Sequence, residues 1–140
     1  TLTVLAGEVL EMIKGGPEEL ATERELLGKA LDDTQGHLGV MVGHLMGAQQ
    51  DPTGLYKLAL HSNALLESVS EVTIAWLLLQ HAEVALNAMP DADDRDKAFY
   101  EGKVASARFF CHHALPKTAA RRQGAEQEDG ALMALPDEAF

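Results

Sequence analysis

The sequence predicts an all-α protein, an antiparallel up-and-down four-helix bundle with a kinked last helix and a short acidic C-terminal tail. Three observations lead there. Apolar residues recur at steps of three and four through four long segments, the spacing that lines one face of a helix. Those segments are separated by short Gly, Pro and Asp clusters, so consecutive helices are expected to be antiparallel neighbours. No β-type alternation of useful length occurs, and with aromatics at only 5% the core must be built mainly from Leu, Val, Ala and Met.

The first helix is expected over residues 1–14, where Leu2, Leu5, Val9 and Met12 share a face. Gly15-Gly16-Pro17 stops it, and Pro17 suits the first position of the next helix. Glu18 and Glu19 follow, where negative charge favours a helix N-terminus. The second helix is expected over 17–49, with Leu20, Leu27, Leu31, Thr34, Leu38, Met41 and Leu45 forming a heptad-like seam. Gly36, Gly39, Gly43 and Gly47 lie within it, so either a neighbour approaches closely there or the helix bends.

Asp51 reads as the N-cap of the third helix, with Pro52 at its first position and Pro90 ending it near Met89. Its stripe is Leu55, Leu58, Leu65, Val69, Val72, Trp76 and Leu79, widened by Leu66, Ile74, Leu77 and Leu78. A helix that is apolar over so much of its circumference is expected to be central. Asp91, Asp93 and Asp94 offer caps for a fourth helix over 94–123, in which Pro116 should produce a kink. The bundle domain is thus read as 1–123. The tail, 124–140, is expected to dock back through Leu132, Met133, Leu135 and Phe140.

Composition narrows function. The chain has 140 residues, enough for one domain, and a net charge of −11 with a pI of about 4.8. Such a polyanion repels nucleic-acid phosphates and anionic lipid surfaces, so neither partner is expected. The longest unbroken apolar stretch, Ile74 to Leu79, falls far short of the ~20 residues that span a bilayer. With no visible signal peptide, a cytoplasmic location is expected. The chain starts at Thr1, inside a helical pattern, which reads as a fragment of a larger protein; a processed terminus is the alternative.

Chemistry-bearing motifs are sparse. None of the six histidines follows a Glu at the Glu-x-x-His spacing of di-iron bundles. His37 and His44, seven apart, could share a face and are the one candidate metal pair, against the simpler reading as surface or partly buried histidines. Cys111, between Phe110 and His112, reads as a small core residue rather than a nucleophile. Adjacent acids such as Asp32-Asp33 and Asp93-Asp94 suit capping and solvation, and Arg121-Arg122 a solvated helix end. No phosphate loop, nucleophile elbow or CxxC pair is present. No catalytic, cofactor-binding or metal-binding residue is therefore assigned.

Residues 99–116, FYEGKVASARFFCHHALP, stand out. Phe99, Tyr100, Phe109 and Phe110 bracket the small residues Gly102, Ala105, Ser106 and Ala107, a pattern suited to close helix contact with aromatic plugs. Lys103 and Arg108 are expected to reach outward. Together with Trp76 these six residues form the candidate docking face; ordinary core packing with solvated charges is the plainer alternative.

The pattern F-Y-x-x-K-x-x-x-A-R-F-F followed by Leu115-Pro116 resembles the C-terminal domain of one group of acyl-CoA dehydrogenases. Ala75-Trp76-Leu77-Leu78 is similar to that domain's A-W-L segment. The ending, with Leu135, Asp137-Glu138 and Phe140, is similar to that family's finish. The likeness covers roughly 60–140 and is only compositional before that. Ser70, where a Gly is frequent, and His112-His113 depart from it. The resemblance implies an accessory domain of an FAD-dependent enzyme that removes hydrogens from the α and β carbons of an acyl-CoA thioester. The family's base and most of its flavin site belong to preceding domains, so the resemblance places no catalytic residue and no cofactor in this segment. It implies docking on the catalytic domains of the same polypeptide, and a homo-oligomer. A stand-alone helical interaction or self-association module is the alternative.

Overall fold

A computed structural model describes residues 2–139; Phe140 and the side chain of Leu2, both assigned to apolar contacts above, lie outside the described residues. The described residues are mostly helical. Five α-helices occur, α1 (Leu2–Lys14), α2 (Ala21–Gly47), α3 (Thr53–Ala88), α4 (Asp94–His113) and α5 (Lys117–Gln127), with no strand among the described residues. The last two are one helix broken at the expected place, so the four-helix bundle stands.

Local chemistry explains the boundaries. Gly16 adopts a φ of 136°, a conformation glycine takes without strain, and Pro17 then opens a 3₁₀ turn over Glu18–Leu20 before α2. The N-cap of α3 is Pro52 and not Asp51, which stands one residue further out; its carboxylate accepts from the Thr53 N–H at 3.0 Å and the Thr53 hydroxyl at 2.7 Å, an Asp turn leading into the helix. α3 passes through a 3₁₀ turn at Met89–Asp91 that contains Pro90. Of the three acids offered for α4, Asp93 is the cap, accepting from the Asp96 N–H at 2.9 Å. Pro116 produces more than a kink: α4 stops at His113, and the chain turns before α5 restarts at Lys117.

The helices α2, α3 and α4–α5 pack on one another, and α1 lies on α2 and α3. Contacts fix the directions. Thr3 and Leu38 line one cavity while Ile13 sits over Gly28, so α1 runs antiparallel to α2. His37 faces His61 and His44 lies against Gly54, so α2 runs antiparallel to α3. Glu23 meets His112 and Gly36 lies under Arg122, so α2 is parallel to α4–α5. The core gathers Val9, Leu20, Leu27, Leu31, Val72, Leu79, Val104 and Leu115 with several alanines and Cys111. Thr34 and Ser68, both buried, hand their hydroxyls to the carbonyls of Ala30 and Ala64 one turn back.

Four expectations are corrected. Leu38 and Leu45 of the heptad seam are exposed, with Val42 and Met46 beside them. Among the described residues, α1 meets α2 between Gly28, under Ile13, and Leu38, beside Thr3, so the part of the seam beyond Leu38 lies outside that contact. Leu66, Ile74 and Leu77 do not widen a buried stripe on α3 but face outward. A Cβ added at Gly39, Gly43 or Gly47 would meet nothing within 4 Å, so these three mark no close approach. Of the four, Gly36 does, a Cβ there standing 2.5 Å from the Arg122 guanidinium carbon, and so does Gly54, where a Cβ would stand 2.6 Å from the His44 carbonyl oxygen. The tail touches the start of α3, yet Leu132, Met133 and Leu135 stay about half bare, so its docking is partial.

By length and composition the segment Thr53–Asp91 is apolar enough to cross a bilayer, with a mean hydropathy of 1.2 over its most apolar window. Counting unbroken apolar runs missed this, because its apolar residues are spaced around the helix. It packs instead on α2, α4 and α5.

Candidate functional site

The seven residues of the sequence-derived face divide between the core and the surface. Trp76, Tyr100 and Phe110 pack against the core and are partly buried. Phe99 and Phe109 point outward from α4, 59% and 65% exposed. The Lys103 ammonium lies 5.1 Å from the centre of the Phe99 ring, a cation–π contact. Phe109 stacks on His113 at 4.1 Å. Arg108 turns back rather than outward, its Nη2 donating to the Glu19 carbonyl at 2.7 Å. Of the small residues between the aromatics only Ala107 is buried; Gly102, Ala105 and Ser106 are open to solvent. The α4 face that remains is Phe99, Lys103 and Phe109.

Two further features escaped the sequence. One is an apolar cavity of about 250 Å³ where the N-terminal end of α1 meets Leu31, Thr34 and Leu38 of α2 and Leu65, Val69 and Val72 of α3. The other is a set of polar clusters tying the helices together. Arg121 grips both carboxylate oxygens of Glu71, one at 3.1 Å, and reaches Glu67 at 3.0 Å. Glu23, nearly buried, meets His112 Nε2 at 2.9 Å with the Arg108 guanidinium 3.9 Å away. These partners lie 50 and 89 positions apart in sequence, and no local spacing announces them.

The histidines are arranged differently from the sequence pairing. His37 is fully buried and faces His61 across the α2–α3 interface, ring centres 6.3 Å apart, rather than acting with His44. Neither nitrogen of His37 has a hydrogen-bond partner in the structure. Among the described residues no group of three His, Cys, Asp or Glu side chains is placed to hold a metal ion. Burial, reinforced by the neighbouring His61 and Arg121, holds His37 below the usual imidazole range. The unfolded chain therefore binds a proton at a higher pH than the folded one does. Stability should fall as pH drops below about 6.5 and level off above it. Urea melts from roughly pH 5 to 7.5 check this: His37→Leu should flatten the slope, and an unchanged slope would assign it elsewhere.

Cys111 is completely buried, and burial together with Glu23 pushes its thiol up to about 12. A thiol held so far above neutrality carries almost no thiolate, which suits a packing role.

These features are ties between the helices and exposed apolar surface. The chain matches the family described as "Acetyl-CoA dehydrogenase C-terminal like" over residues 5–136. It belongs to that family. This C-terminal-like domain is also 42% identical over 142 residues to the broad-specificity linear acyl-CoA dehydrogenase FadE5 of Mycobacterium tuberculosis. The match takes in 99% of the chain but 23% of that relative. The family expected from the α4 motif is thus found, and the match extends through α1 and α2, where the sequence likeness was only compositional. Trp76 and the α4 aromatics, which carried the resemblance, are split by the fold between core and surface.

Proposed function

We propose that this domain is the C-terminal helical module of a longer FAD-dependent acyl-CoA dehydrogenase, cytoplasmic and homo-oligomeric, and that it buttresses the catalytic domains without itself carrying out chemistry. The observation that carries the reading is the coverage: nearly the whole chain corresponds to less than a quarter of an acyl-CoA dehydrogenase. The bundle domain, read from the sequence as 1–123, runs on to Gln127, because α5 continues to that residue and Ala125 within it is buried, and 128–140 is its tail. Docking on the catalytic domains uses the α4 face of Phe99, Lys103 and Phe109, where exposed aromatic rings offer area at low entropic cost. In the parent enzyme a glutamate of the preceding domains would take the α-proton and FAD the hydride.

The test compares two proteins. The 140-residue chain should be colourless and inactive on acyl-CoA thioesters, while the polypeptide extended upstream should be yellow and active. Tight flavin binding by the 140-residue chain, or a colourless and inactive extended protein, would refute the reading.

A further inference from the structure

α3 is buried on one side and bare on the other. Leu55, Leu66, Ile74, Leu77 and Val84 share the outer side and are 52%, 64%, 43%, 42% and 67% exposed. At 1.5 Å per residue this face runs about 44 Å from Leu55 to Val84. The positions between them on that side hold Ala59, Asn63, Ser70 and His81, so the face has no Asp, Glu, Lys or Arg along its centre. Glu67 stands at its edge and is drawn to Arg121. Charge is frequent elsewhere, at 24% of the chain, so a charge-free strip of this length on an exposed helix marks a surface that is covered in the working protein.

We infer that this outer face of α3 is a second contact with the rest of the dehydrogenase polypeptide, separate from the α4 face. The inference rests on the reading above, and three considerations select that occupant. First, a relative matched over 99% of this chain has about three-quarters of its length outside the match, so there is ample polypeptide to cover the strip. Second, the face is the width of a single helix. It suits a contact within one chain, where tethering makes association intramolecular and interfaces as small as about 600 Å² in total suffice. Third, a second copy would bring two chains of net charge −11 together, and an anionic lipid surface would meet the same repulsion with no Lys or Arg on the face to offset it. The covering segment should be apolar, with basic residues where it passes Glu67.

Cysteine accessibility tests this without relying on activity, since the native Cys111 is buried and protonated and gives little background. Ile74→Cys and Leu77→Cys are each placed in the 140-residue chain and in the upstream-extended polypeptide, and reaction with a maleimide is timed. Both should react freely in the short chain and at least about tenfold more slowly in the long one. A yellow extended polypeptide in which both thiols react as fast as in the short chain would overturn the inference and leave the functional reading standing. A colourless extended polypeptide would remove that reading and the inference with it. Slow reaction in the short chain together with a dimer mass would assign the face to a second copy instead. Protection of the short chain by phosphatidylcholine–phosphatidylserine vesicles would assign it to a membrane. Either result counts against the inference.

Discussion

Arg121→Ala is expected to destabilise the bundle by about 3 kcal/mol, because it leaves charges at the α3–α5 contact without their partner. The Arg121 and Glu71 side chains are only 17% and 18% exposed, so the loss of their two-point hydrogen bonding is poorly compensated by water. Glu67, at 64% exposure, is well solvated and adds less than about 1 kcal/mol to the effect. The same guanidinium holds α5 against α3 immediately after the break at Pro116, where the backbone ladder no longer supplies continuity. Urea denaturation of Arg121→Ala, Glu71→Gln and the double variant checks this. The cycle should show that most of the loss is shared between the two residues. A loss below about 1 kcal/mol in Arg121→Ala would place the contact among ordinary surface ion pairs.

Leu79→Ala should be comparably severe. Leu79 is 1% exposed in the central cluster of α3, and truncating such a leucine removes its transfer free energy and leaves a cavity, together about 3 kcal/mol. For a chain of this size each kcal/mol lowers the melting temperature by about 2–4 °C, so a drop near 10 °C is expected. Leu77, two positions earlier and 42% exposed, is the internal comparison. Leu77→Ala in the 140-residue chain should cost less than about 1 kcal/mol, since much of its surface is already in water. Equal losses in thermal melts of the two variants would mean that the buried and bare sides of α3 have been assigned wrongly.

Much of the fold was legible because it depends on local rules. The Gly-Gly-Pro stop after α1, the Asp93 cap and the break near Pro116 follow from backbone chemistry that any neighbour must accept. Leu20, Leu27, Leu31, Thr34 and Met41 were placed on one face by spacing, and they are buried. Leu38 and Leu45 obey the same spacing and are bare. Periodicity says that a face is apolar; it does not say how far a neighbouring helix reaches along it. The candidate docking face shows the same limit. Phe109 and Phe110 are adjacent, so a helix must send them in different directions, and one is exposed while the other packs inward.

By itself the sequence determined the helices, their order, most of the core and, through the aromatic motif near the C-terminus, the family. Each of these depends on short spacings along the chain, where residues three or four apart are neighbours in any helix. Tertiary structure alone decided that His37 faces His61, that Arg121 serves as a tie between helices instead of a solvated end, and which side of α3 is left bare. Those outcomes depend on which distant segments meet, and a contact across 50 positions leaves no periodic trace in the sequence.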